Sequence, residues 1–167
     1  MKIIKNFNIE IITLVIGLNL LTIHSLRAQN HSPGMSSLVK TSEIIFVGKV
    51  ESQKSFWDNS KNRIFTTVSL KVNEYLKRNN GDQNLEILVP GGEVDGVGEF
   101  YSHMPRFEEK SEVLLFVKKD RNNNLIVNQG DEGKYSLNPN EKDIGESNVK
   151  SFERFKNQIN YLLRREN

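Results

Sequence analysis

The sequence predicts a mainly β domain of five to six strands curled into a small barrel, followed by a C-terminal amphipathic helix. Three observations predict it. Ile64, Thr66, Val68, Leu70 and Val72 alternate with Phe65, Thr67, Ser69, Lys71 and Asn73, the period of two that a strand imposes. Further short apolar runs are separated by turns rich in Asn and Gly, residues that tolerate positive φ. Near the C-terminus the spacing changes to three and four, over Val149, Phe152, Phe155, Ile159, Leu162 and Leu163, which is helical.

Taken in order, the chain begins with Lys2 and Lys5, an apolar run from Ile11 to Ile23, and Leu26-Arg27-Ala28, which ends in the small residue a signal peptidase needs. Residues 1–28 are therefore expected to be a signal peptide cleaved after Ala28, placing the mature chain in the periplasm or outside the cell. The apolar run is shorter than the roughly 20 residues that cross a bilayer and contains Asn19, so no stable membrane insertion is expected after cleavage. The chain has no Cys, which excludes disulfide staples, a thiolate nucleophile and lipid attachment at the cleavage point. Removing residues 1–28 takes away Lys2, Lys5, Arg27 and Glu10, leaving 20 basic and 20 acidic residues of the original 23 and 21. A neutral mature chain lacks the basic footprint of a nucleic-acid binder, and no nucleic-acid partner is expected.

Residues 29–37, "QNHSPGMSS", form an expected flexible leader running into a short helical turn around Leu38, and residues 38–140 the barrel domain. In "EIIFVGKVES", Ile44, Phe46 and Val50 share one face with Gly48 while Ile45 and Val47 are apolar on the other, so this strand is expected to be buried on both sides at its start. The long strand from Ile64 slips out of phase after Asn73, where Tyr75 and Leu76 are both apolar, which predicts a bulge or bend. "LEILVP" alternates through Leu85, Ile87 and Val89. "SEVLLFVKKD" puts Val113, Leu115 and Val117 on one face and Leu114 and Phe116 on the other. The turn "DRNNN" leads to "LIVNQG", and Gly133 opens a last short strand, "KYSL". Residues 141–167 are assigned to the helix, with Ser147 as N-cap, its apolar stripe expected to cover one barrel opening and its basic residues to face solvent.

Catalytic signatures are missing. The mature chain has His31 and His103, with no H-E-x-x-H and no histidine pair at ligand spacing, so no zinc site is assigned. There is no G-x-S-x-G elbow, and "GGEVDGVG" lacks the lysine of a phosphate-binding loop. Glu93, Asp95 and Glu99 do not follow the spacing of a calcium loop. The dense acids Glu108, Glu109 and Glu112 are balanced by Arg106 and Lys110 in what looks like the polar approach to a strand. Neither a metal nor a cofactor is expected, and the chain is not expected to be an enzyme.

The stretch "VPGGEVDGVGEF" at residues 89–100 is read mainly as geometry. Val89-Pro90-Gly91-Gly92 fits a type II turn, and Gly96 and Gly98 allow a second bend that returns Val97, Phe100 and Tyr101 to the sheet. What remains functional is exposure. The crossing from 91 to 107 carries Glu93, Asp95, Phe100, Tyr101, His103, Met104 and Phe107 beside a sheet edge, a surface suited to a protein partner.

The segments "SEIIFVGKV", "FTTVSLKVNEYLK", "ILVPGGEVDGVGEF", "MPRFEEKSEVLLFVKK" and "VNQGDEGKYSL" resemble a β-rich domain of secreted bacterial proteins, some of which precede matrixin-type metalloproteases. The likeness spans about residues 38–137. The Gly-Glu that this pattern has before its V-L-L-F strand appears here as Lys110-Ser111-Glu112. More distantly, the strand order is similar to the netrin module of tissue inhibitors of metalloproteinases, which implies an OB-like barrel. Those inhibitors act through an N-terminal Cys that this chain lacks. The expected function is an exported, non-catalytic interaction module. The alternative that the resemblance implies is an inhibitor or accessory partner of an envelope or secreted metalloprotease.

Overall fold

The computed structural model describes residues 34–78, 81–137 and 148–166; the expected signal peptide, His31 and the Ser147 cap lie outside them. Helix α1 spans Met35–Thr41, the short helical turn expected around Leu38, and it takes in residues 35–37 of the segment assigned to the leader. Strands β1 (Ile44–Trp57) and β2 (Ile64–Lys77) form a long antiparallel hairpin, and β3 (Asn84–Pro90) pairs with β2. A separate hairpin of β4 (Gly92–Val94) and β5 (Val97–Glu99) follows. Strand β6 (Glu112–Lys119) returns to pair with β1, and β7 (Leu125–Val127) and β8 (Lys134–Ser136) pair along its other edge, joined by a 3-10 turn at Gly130–Gly133. Helix α2 (Asn148–Glu166) is the last of the described elements.

The main sheet is antiparallel throughout, in the order β3-β2-β1-β6-β7 with β8 on β6. It curls: β3 and β7, the two ends of that order, approach within contact distance. No ladder joins them among the described residues, so the expected closed barrel is a curled open sheet. Closure needs a row of hydrogen bonds between the last strands, and β7 offers only three residues.

The doubly apolar start of β1 dictates two layers of packing. Ile44, Phe46 and Val50 join Val68, Leu70, Leu85, Ile87, Val113, Leu115 and Val117 inside the curl. Ile45 and Val47, with Leu114 and Phe116, point the other way and pack against Leu38 and Val39 of α1 and Ile159, Phe155 and Leu162 of α2. The C-terminal helix therefore covers the outward face of the sheet, where these four apolar residues would otherwise meet water, and not a barrel opening as expected. Tyr135 packs between sheet and helix in this layer, its ring centroid 4.6 Å from that of Phe155 and 5.9 Å from that of Phe116.

The slip after Asn73 is a real irregularity: the pairing shifts between Val47↔Glu74 and Gly48↔Val72 and again between Ile45↔Lys77 and Phe46↔Tyr75. Because of it Val72 and Tyr75, three residues apart, reach the same inner cluster while Leu76 reaches the outer one. A second irregularity lies on β1, where Val50 faces Leu70 and Ser52 faces Ser69, leaving Glu51 as the extra residue.

Between the crossing and β6, the turn Glu108–Ser111 is closed by the Ser111 amide on the Glu108 carbonyl, with Lys110 at φ 68°. This left-handed conformation costs a side-chain-bearing residue about 1–2 kcal/mol, whereas glycine's extra chain entropy costs about 0.5–1 kcal/mol. Lys110→Gly is expected to raise unfolding stability by about 0.5–1 kcal/mol in urea titration, with the m-value unchanged. An unchanged or lowered midpoint would contradict a strained turn.

Candidate functional site

The second half of β1 behaves unlike the first. Because Glu51 is an extra residue, the inward positions change from even to odd numbers, and Gln53 and Ser55 now face Val68 and Thr66 across the hairpin. At the same point β1 loses its second neighbour. The ladder to β6 ends at Lys49↔Glu112, with a last pair of bonds between Val50 and residues 110 and 111. From Glu51 to Trp57, β1 pairs with β2 alone among the described residues. Alongside it runs the irregular segment 100–107, held at one point by the Gln53 amide donating to the Phe107 carbonyl at 3.0 Å.

The space left between them is a cleft of about 340 Å³. Its inner wall is polar, from Gln53, Ser55 and Thr66, and its floor is Val68, Val89 and Phe107. Phe100, Tyr101, Met104 and Pro105 form the outer wall, with Glu99 and Arg106 at the edges. The hydroxyls on the inner wall are ordered in series. Thr66 Oγ1 donates to the Gly91 carbonyl at 2.7 Å, so the 2.9 Å contact with Ser55 Oγ has Ser55 as donor. Gly91 (φ 93°) and Gly92 (φ 132°) bring the chain over these groups. A side chain at Gly91 would strike the Glu99 carbonyl, and one at Gly92 the Ser55 and Thr66 hydroxyls. The positive φ expected at Gly91 is present, and close approach is an added requirement at both glycines.

The residues singled out in the sequence divide into two groups. Phe100, Tyr101, Met104 and Phe107 line the cleft. Phe100 is 71% exposed and Met104 36%, but Phe107, expected at the surface, is only 8% exposed and belongs to the inner core cluster. Its ring is the one apolar side chain of the crossing that reaches into the curl, with Lys134 Nζ 5.8 Å from its centroid. Glu93, Asp95 and His103 stand outside the cleft lining. Asp95 (φ 52°) and Gly96 (φ 79°) are the two central residues of the β4–β5 turn, the pair of positive φ values a two-residue hairpin requires. That hairpin forms its own two-stranded sheet, so Val97, Phe100 and Tyr101 do not rejoin the main one as expected. His103 (φ 62°) contributes its backbone, whose carbonyl accepts the Asp131 amide at 3.0 Å and ties the crossing to the 3-10 turn.

Glu99 organises the outer wall. Its carboxylate accepts the Arg63 Nε at 3.0 Å, the Ile64 amide at 2.5 Å and the Tyr101 hydroxyl. The Arg63 guanidinium also lies 4.9 Å from the centre of the Tyr101 ring, so Tyr101 is fixed by both its hydroxyl and its face. Arg106, by contrast, lies 5.9 Å from the Phe100 ring and has no carboxylate partner among the described residues. Sequence reasoning passed over Gln53, Ser55, Thr66 and Arg106. For Glu99 a signal existed, since Glu99 and Tyr101 stand two apart. Among the described residues no three His, Asp or Glu side chains gather to hold a metal ion. The arrangement is a preorganised recess with polar and apolar walls, suited to holding a group.

No protein-family model matches the chain, and no curated protein matches it.

Removing the Glu99 carboxylate strands a half-buried amide and frees Tyr101. Glu99→Ala is expected to cost about 1–3 kcal/mol in denaturant titration, while Glu93→Ala, on the same hairpin and exposed, stays within about 0.5 kcal/mol of the parent. Equal effects at the two positions would contradict the organising role of Glu99.

Proposed function

We propose that this chain is an exported, non-catalytic binding module that holds a segment of a partner protein in the cleft between the outer half of β1 and the crossing 100–107. The observation that carries this reading is Phe100, 71% exposed at the mouth of a recess of about 340 Å³. A large aromatic ring held in water beside a recess loses apolar hydration when covered, and such sites anchor protein partners. The one-sided pairing of β1 beyond Val50 supports the reading, because an unpartnered strand edge offers backbone groups to an extended segment. Export rests on the Lys2, Lys5 and Ile11–Ile23 pattern ending at Ala28. The resemblance to domains that accompany matrixin-type metalloproteases makes a protease of the envelope or culture fluid a partner to test first.

The immobilised exported chain is expected to enrich one protein from the envelope or culture fluid of its producing cell, identified by mass spectrometry. Enrichment should fall at least fivefold with Phe100→Ser combined with Met104→Ser. It should persist with Phe56→Ser, which removes an aromatic ring stacked on Phe65 and away from the cleft. Capture that survives the double variant, or that depends on Phe56, would remove the cleft from consideration.

A further inference from the structure

The charge on the cleft wall narrows what the recess accepts, given the reading of the cleft as the binding surface. Only two lining residues are ionised, Glu99 and Arg106. Glu99 is spent within the fold, because Arg63, the Ile64 amide and the Tyr101 hydroxyl all donate to it. Arg106 is exposed, and no Asp or Glu lies within ion-pair distance of it among the described residues, although Glu108 and Glu109 follow closely in sequence. Its guanidinium is held beside the Phe100 ring, which positions the planar fork without neutralising it. The cleft thus presents one uncommitted positive charge above an apolar floor of Val68, Val89 and Phe107.

We infer that the cleft accepts the C-terminal residue of a polypeptide partner, its apolar side chain on the floor and its α-carboxylate on Arg106. A guanidinium is matched bidentately by a carboxylate, and the pairing strengthens where the surroundings are partly dry. The size of the recess favours a chain end. At about 340 Å³ it stands at the small end of ligand sites, with room for one or two residues. A C-terminal residue carries an apolar side chain and a carboxylate on the same Cα, the most compact unit that satisfies floor and rim together. Gln53 and Ser55 on the opposite wall offer hydrogen bonds to the peptide backbone that leads away.

The test uses three probes on the ¹⁵N-labelled exported protein, followed by NMR titration at low salt. The probes are the peptide N-acetyl-Gly-Ser-Gly-Leu-Phe with a free carboxylate, the same peptide as its C-terminal amide, and 4-phenylbutyrate. The free-acid peptide is expected to shift the Gln53, Ser55, Phe100 and Arg106 amides and the Arg106 Nε–H. The amide should bind at least fivefold more weakly, and Arg106→Gln should erase that difference with the rest of the spectrum unchanged. Acid and amide binding the cleft equally would overturn the carboxylate assignment while leaving the cleft as a binding site. 4-Phenylbutyrate binding as tightly as the peptide would overturn the polypeptide source in favour of a small carboxylic acid. If none of the three perturbs the cleft of the folded protein, the inference fails together with the binding reading of the recess.

Discussion

The two-sided burial of β1 is the constraint on which the rest of the structure depends. Within seven residues the strand places Ile44, Phe46 and Val50 in one apolar cluster and Ile45 and Val47 in another. Burying five such side chains supplies on the order of 10 kcal/mol of gross stabilisation, an upper figure because the unfolded chain is itself partly collapsed. Neither face can be left to water, so the sheet must curl around one and helices must cover the other. That single requirement accounts for the inner cluster of β1, β2, β3 and β6 and for the joint docking of α1 and α2 on Leu114 and Phe116. Without disulfides, these two layers carry the stability.

The cleft arises where that constraint stops. Beyond Val50 the strand has no further aliphatic residue, its pairing with β6 has ended, and the extra residue Glu51 turns Gln53 and Ser55 inward. This polar wall is satisfied by the crossing itself, Thr66 donating to the Gly91 carbonyl and Gln53 to the Phe107 carbonyl, so an irregular segment and not a paired strand lies across it. Gly91 and Gly92 let that segment start close to the Ser55–Thr66 hydroxyls, Glu99 fixes Tyr101, and Phe107 plugs it into the core. The crossing is thereby anchored at both ends, with Phe100, Met104 and Arg106 held out between the anchors. Rigid supports around a few exposed side chains are the arrangement that limits the entropy lost on binding.

Much of the fold was legible in the residues and the site much less so. Alternation marked β2, β3 and β6 because each strand has one or two buried faces that record its period, and even the slip at Asn73 was visible through the misplaced Tyr75 and Leu76. The irregularity at Glu51 left no such mark, since Glu51, Ser52, Gln53, Lys54 and Ser55 contain no apolar residue whose phase a bulge would disturb. Phe107 looked exposed because it stands alone between Arg106 and Glu108, without periodic neighbours to show which way it points. The place of the C-terminal helix was recoverable in principle: Ile45, Val47, Leu114 and Phe116 form an outward apolar face that demands a cover. Barrel closure was not recoverable, because it depends on whether two strands far apart in sequence meet edge to edge. The uncommitted charge of Arg106 likewise emerges only once Glu99 is seen to be occupied by Arg63.

The claim that one strand builds core in its first half and an open site in its second is tested most directly by native-state hydrogen exchange along β1. Amides from Phe46 to Lys49, within the stretch flanked by ladders to both β2 and β6, are expected to exchange only through global unfolding. Those from Gln53 to Trp57, including the ones bonded to β2, should exchange through a local opening of much lower free energy. Uniform protection from Phe46 to Trp57 would mean that the outer half of β1 is as much part of the core as the inner half, and would contradict the account.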